Sequence, residues 1–234
     1  MSGVPSNELA LGPHVALVSA PTAGVPLFRR CPPTHTILLG RCRLEAEGRV
    51  CTTDAIALPA NTPHHIVALE GPYASVAYLD PRRFRFSDAQ ALAEAWRGFV
   101  PGHDDLQEAL GDALARPQRR VDPRVRRAIG LIETEDCSVA VTAARLDLSA
   151  SRLTHLVSET LGAPPRAWKA WFKLVRAIQL ALRGANLTQA AHLAGFADSA
   201  HLTRTCKQLT GVRPAKMIPG RVLVRPDLPL PPSP

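Results

Sequence analysis

The chain of 234 residues has no apolar run near the roughly 20 residues that cross a bilayer, so no membrane span is expected. Its first stretch, MSGVPSNELALGPHVALVSA, lacks a basic segment leading into an apolar one of secretory length, and a cytoplasmic location is expected. Paired cysteines are missing too. Cys31, Cys42, Cys51, Cys137 and Cys206 are an odd, scattered set without a C-x-x-C pair, which builds neither a disulfide framework nor a zinc site on spacing grounds. Buried reduced thiols are the simple expectation. The alternative is oxidant sensing by Cys31, Cys42 and Cys51, which lie near Arg30, Arg41 and Arg43 in sequence. No His-x-His with a following Glu occurs. The adjacent His64 and His65 fall in a strand-like run, where alternation sends neighbours to opposite faces. No metal ligand set, cofactor or catalytic residue is therefore expected.

What the chain does have is an uneven charge. Residues 1–118 hold 10 Arg and Lys against 12 Asp and Glu, whereas residues 119–221 hold 17 against 7. The overall charge of +8 thus comes from one segment. A domain of such charge attracts a polyanion, and an Arg-rich but inert surface is the plainer alternative.

The same segment contains an internal repeat. LTHLVSETLGAPP (153–165) and LTRTCKQLTGVRP (202–214) align at an offset of 49, matching Leu153-Thr154 with Leu202-Thr203, Gly162 with Gly211 and Pro165 with Pro214. Upstream, AARLDL (143–148) aligns with AHLAGF (191–196) at an offset of 48, so the extra residue falls in a turn. A duplicated helical unit tolerates an insertion there.

Each copy reads as helix, tight turn, helix. In the second, Asn186 and Gln189 form a capping box, Gly195 ends the first helix, and Asp198 or Ser199 caps the next. Leu202, Cys206 and Leu209 make that helix's buried stripe. In the first copy Leu153, Val157 and Leu161 are buried by the same spacing. Between the copies, PRAWKAWFKLVRAIQLALRG opens with Pro165, carries Trp168, Trp171, Val175, Ile178 and Leu182 at helical spacing and ends at Gly184. A helix of about 19 residues is roughly 28 Å long. That is close to the roughly 34 Å of one DNA turn, so two units on such a strut suit successive major grooves. Trp168 and Trp171 are expected in the core rather than stacked on bases.

With these features, residues 122–218 resemble the DNA-binding domain of the AraC/XylS transcription regulators. The resemblance rests on LDLSASRLTHLVSETLGAPP, on Lys173-Leu174-x-x-Ala177-x-x-Leu180 and on GFADSAHLTRTCKQLTGVRP. Departures are Leu202 and Cys206 where larger aromatics are common, Asp147 in place of a turn glycine, and Lys173 for a frequent Arg. The resemblance implies DNA-contacting positions at Ser151, Arg152 and His155 in the first unit. In the second it implies Ser199, His201, Thr203, Arg204 and Lys207. It implies double-stranded DNA as partner and no enzymatic role, and it admits RNA polymerase, a small-molecule effector and a second copy of the chain (a homodimer) as further partners.

The N-terminal half is rich in short Val, Ile and Leu runs, HVALVSA, HTILLG, DAIALP, HHIVAL and YASVAYL, separated by turn residues. PANTPHH (59–65) resembles the Pro-x-Gly-x-x-His turn of cupin barrels with Asn61 in the glycine's place. The expected fold is α+β: a small antiparallel cupin-like β sensor domain (1–86), then an all-α domain with two helix-turn-helix units joined by a long helix (122–221). Residues 87–121 form helices and linker. Ser87 and Gln90 read as a capping box, Leu106, Leu110 and Leu114 as an apolar stripe, and the helices as a surface for pairing subunits or packing on their own barrel. Asp122-Pro123 opens the DNA-binding domain, and 222–234 reads as a disordered tail. Two other functions fit less of this pattern: a cupin-like metalloenzyme with an accessory DNA-binding domain, and a nonspecific DNA-coating protein.

Overall fold

The computed structural model describes residues 8–12, 14–22, 29–98, 103–217 and 221–224. The β domain comprises β1 (Glu8–Gly12), β2 (Val15–Pro21), β3 (His35–Ala46), β4 (Arg49–Leu58), β5 (His64–Leu69) and β6 (Tyr73–Leu79). A further strand, β7 (Arg221–Val224), completes a sheet that runs β4-β3-β6-β2-β1-β7, and β5 pairs with the far half of β3. A register shift between Leu39 and Cys42 bends β3, so its first half pairs with β6 and its second with β5. Glu47 and Gly48, both at positive φ, supply the tight β3–β4 turn. Asn61 has φ 60°, the conformation expected of the glycine it replaces in the cupin-like turn.

Two expectations need correction. The segment from residue 222 on was expected to be disordered, yet β7 lies there, parallel to β1. A short Val-Leu-Val run suits an unpaired sheet edge. Residues 225–234 of the expected tail lie outside the described residues. Secondly, α1 (Phe86–Ala95) starts before Ser87, because the Asp88 carboxylate accepts the Arg85 N–H at 2.7 Å. An ionised side chain is a stronger cap acceptor than the Ser87/Gln90 pair.

Strand alternation gives the sheet two buried faces. Val15, Leu17, Ala77 and Leu79 point to one side and pack with Leu92 and Trp96 from α1 and its end, and with Ala109, Leu110 and Ala113 of α2 (His103–Ala115). Leu110 of the apolar stripe is thus covered by the chain's own sheet, with Leu114 packed partly against the same core. The Leu106 side chain lies outside the described ones. On the other side, Ala16, Val18, Val76 and Tyr78 join the core of the helical domain.

That domain contains α3 (Pro123–Glu135), α4 (Val139–Ala144), α5 (Ala150–Leu161), α6 (Pro165–Leu182), α7 (Leu187–Leu193), α8 (Ser199–Thr210) and α9 (Pro214–Met217). Asp122 caps α3 through Arg124 N–H, with Pro123 in its first turn. In α6 the buried residues are Pro165, Trp168, Trp171, Leu174, Ala177 and Ile178, while Val175 and Leu182 are half-buried. Trp171 meets Tyr78 of β6 with ring centroids 5.3 Å apart, which seats the long helix on the sheet. None of the described helices is long and apolar enough to cross a membrane.

Cys42 and Cys206 are buried, Cys31 and Cys137 half-buried and Cys51 exposed, so the expected burial holds for only part of the set. Burial raises the Cys31 thiol and pushes Cys42 and Cys206 up to about 11, which disfavours the reactive thiolate. Among the described residues no group of three His, Cys, Asp or Glu could hold a metal ion. His64 is instead fully buried, with Nδ1 donating to the Thr62 carbonyl at 2.9 Å. His35 accepts the Ala60 N–H at 3.1 Å.

Burial lowers both imidazoles to about 4, assisted by Arg119 at His35 and by Arg30 at His64. Unfolded histidine titrates near 6.5, so the unfolded chain takes up protons that the folded one refuses between those values. Stability is therefore complete above about pH 6.5 and declines as pH falls towards 4, by about 3 kcal/mol for each histidine. Urea midpoints across this range should show the decline, with a clearly shallower one in His64→Gln; an unaltered slope in that variant contradicts the assignment.

The turn between α4 and α5 holds Asp147 at φ 53°, where the second unit has Gly195 at φ 81°. A left-handed conformation strains any residue with a Cβ, so Asp147→Gly should stabilise the chain by about 1 kcal/mol in thermal unfolding. A loss of stability is the contrary result.

Candidate nucleic-acid interface

The two copies of the repeat have the same local chemistry. Ser149 Oγ accepts the Arg152 N–H at 3.1 Å and caps α5; Asp198 Oδ1 accepts the His201 N–H at 2.6 Å and caps α8. Asp198 is thus the cap, and Ser199 is the first helical residue. Each helix has 12 residues and ends on a left-handed glycine, Gly162 at φ 78° and Gly211 at φ 77°. Thr154 donates to the Ala150 carbonyl, and Thr203 to the Ser199 carbonyl, both at 2.8 Å. The preceding turns match as well: Leu148 N–H donates to Ala143 O at 3.0 Å, and Phe196 N–H to Ala191 O at 2.9 Å.

Leu153, Val157 and Leu161 of α5 are buried, as are Leu202, Cys206 and Leu209 of α8. Small Cys206 is accommodated beside Thr210 and the Met217 thioether of α9, whose sulfur lies 3.4 Å from Sγ. On the outer faces Ser151, Arg152, His155, His201 and Arg204 are exposed, while Ser199, Thr203 and Lys207 are half-buried. The Thr203 hydroxyl is occupied by its own helix. His155 pairs with Glu159 at 3.1 Å, and His201 stands edge-on to Phe196 with ring centroids 5.2 Å apart. The N–H of His201 holds the Asp198 carboxyl below its ordinary range.

Lys173, the departure on α6, bridges the scaffold to the second unit. Its ammonium donates to the Gly195 carbonyl at 2.9 Å and lies 3.3 Å from Asp136 at the end of α3. Lys169 reaches the same Asp136 at 3.0 Å. One carboxylate thereby ties α3 to α6 and to the turn that aims α8.

The far ends of both outer helices rest on the β domain. Gly162 packs on Ala60, and Arg119 in the linker donates to Thr160 O at 2.8 Å and Pro81 O at 2.9 Å. At the other end, Cys31 N–H donates to Gln208 O at 3.0 Å. A Cβ on Gly211 would stand 2.7 Å from the Arg30 guanidinium, so with Arg30 buried at this place only glycine fits. Arg82 completes the junction, pairing with Asp80 and with Glu133 of α3, each at 2.6 Å, and lying over the Phe172 ring. Burial alone would raise the Asp80 carboxyl, but His14 and Arg82 outweigh it and lower it. Sequence reasoning missed Arg30, Arg82 and Arg119, because only the tertiary pairing of distant segments distinguishes them from surface arginines.

Arg30 is anomalous. It is 3% exposed, touches Tyr78, and among the described residues its Nε and Nη2 meet no hydrogen-bond partner. A buried charge without full compensation is costly.

A family model described as a helix-turn-helix domain matches residues 142–218. No curated protein matches the chain. Among solved structures, ToxT of Vibrio cholerae strain SCE256 bound to an unsaturated fatty acid aligns with a TM-score of 0.54 at 14% identity, over 87% of this chain and 94% of that one. ToxT of strain O395 bound to (E)-4-(8-methylnaphthalen-1-yl)but-3-enoic acid aligns at 0.51 and 13% identity, over 87% and 97%. An AraC-type regulator from Chromobacterium violaceum aligns over 41% of this chain and 89% of its own, with a TM-score of 0.39 at 24% identity. The domain match identifies residues 142–218 as an AraC-type helix-turn-helix domain, and the arrangement of an antiparallel sheet domain followed by a helical one is a fold shared with ToxT.

Proposed function

We propose that the protein binds a bipartite operator, with α5 and α8 entering successive major-groove segments on one side of the duplex. The matched construction of the two helices carries this reading: same length, equivalent side-chain caps, a buried stripe at the same spacing and an exposed polar face on each. Arg204 reads a guanine, because its planar fork can bond O6 and N7 together. Lys207 meets phosphate, and Ser151, Arg152, His155, Ser199, His201 and Thr203 complete the two contact faces. The basic excess of residues 119–221 adds the electrostatic attraction that makes such binding steeply salt-dependent.

Arg204→Ala should relax preference at one base position at a cost of about 1–3 kcal/mol, whereas Lys207→Ala weakens cognate and scrambled duplexes alike. Fluorescence anisotropy on both duplexes separates the two. Equal losses on both DNAs for Arg204→Ala contradict its role in base reading.

We also propose that a small acid controls DNA binding from the domain junction. The ToxT structures with bound ligand hold an unsaturated fatty acid and an aryl-butenoic acid, both carboxylic acids. Here Arg30, buried and incompletely partnered, sits against the end of α8, where an arriving carboxylate would be felt by the recognition helix. A cis-unsaturated fatty acid should change operator affinity of the wild-type protein by about tenfold and that of Arg30→Met much less. The same response in both proteins contradicts an Arg30 anchor.

A further inference from the structure

Within their shared frame, the two outer helices differ in one systematic way. Aligned at the offset of 49, Arg152 corresponds to His201 and His155 to Arg204. Each helix therefore presents one arginine and one histidine, in opposite order. Arg152 is the third residue of α5, and Arg204 the sixth of α8.

The histidines are engaged within the protein, His155 with Glu159 and His201 against Phe196. Arg152 and Arg204 are exposed, and among the described residues neither guanidinium makes a hydrogen bond or salt bridge; Arg204 only feels the Asp198 charge. Each helix thus has one bidentate donor ready for a base edge. Caps at the same position and the matching Thr bonds make this a shift of the side chain along equivalent backbones.

Resting on the DNA-reading function proposed above, we infer that Arg152 and Arg204 are the paired guanine readers and that they act at non-equivalent levels of their helices. Three residues of α-helix rise about 4.5 Å. That exceeds one base-pair step of about 3.4 Å. The two half-sites are therefore not a direct repeat: relative to the spacing of the units, one specified guanine is displaced by one to two base pairs.

The test is selection of binding sites from a random duplex pool, with the full-length wild type and the double variant Arg152→His/His155→Arg, which keeps composition and net charge. The wild type should select two guanine positions. The variant should move the first by one or two base pairs and leave the second in place, preferring the new position over the old by about 5- to 150-fold, the range of one bidentate contact. An unchanged first half-site overturns the inference while leaving the DNA-reading function intact. No selected motif even with the wild type overturns both. The reciprocal variant His201→Arg/Arg204→His should move only the second guanine. It tests the inference independently should the first variant fail to fold, and a second half-site that stays put overturns the inference equally.

Discussion

The sheet has no solvent face along β2 and β6, and the arrangement of the whole molecule follows from that constraint. Side chains alternate along a strand, so Leu17, Ala77 and Leu79 must be covered on one side and Val18, Val76 and Tyr78 on the other. α1 and α2 cover the first side. The second is covered by the helical domain, with Trp171 of α6 against Tyr78. The long helix that carries both helix-turn-helix units is thus fixed to the β domain by burial.

Polar contacts then refine what burial sets coarsely. The Asp80–Arg82–Glu133 chain crosses the junction with short charge-assisted bonds and restricts α3 relative to β6. Arg119 and the Cys31 amide hold the ends of α5 and α8 by their carbonyls. Both α5 and α8 are therefore clamped near their C-terminal ends.

The legible part of this architecture was local. Gly195, Asp198 and Gly211 mark a helix boundary, a cap and a stop through their own backbone preferences, and the offset of 49 made the duplication visible without coordinates. Asp147 showed itself in the same way, as a non-glycine where the second copy has Gly195. What depends on distant pairing was not legible. Val222 and its neighbours were too short a run to signal a strand until β1 offered them an edge. The stripe of α2 could equally have faced a second subunit, and only the sheet decides that Leu110 packs at home. Nothing in the sequence around Arg30 marked a buried charge, because its burial comes from Gly211 and Tyr78, both far along the chain.

The central claim is that two equivalent helices on one scaffold address one duplex together. Guanine N7 methylation protection on a selected operator tests it most directly, because N7 lies in the major groove. The account predicts two protected windows on the same side of the duplex, centred about 10 base pairs apart. A single protected window, or uniform protection along the fragment, would contradict it.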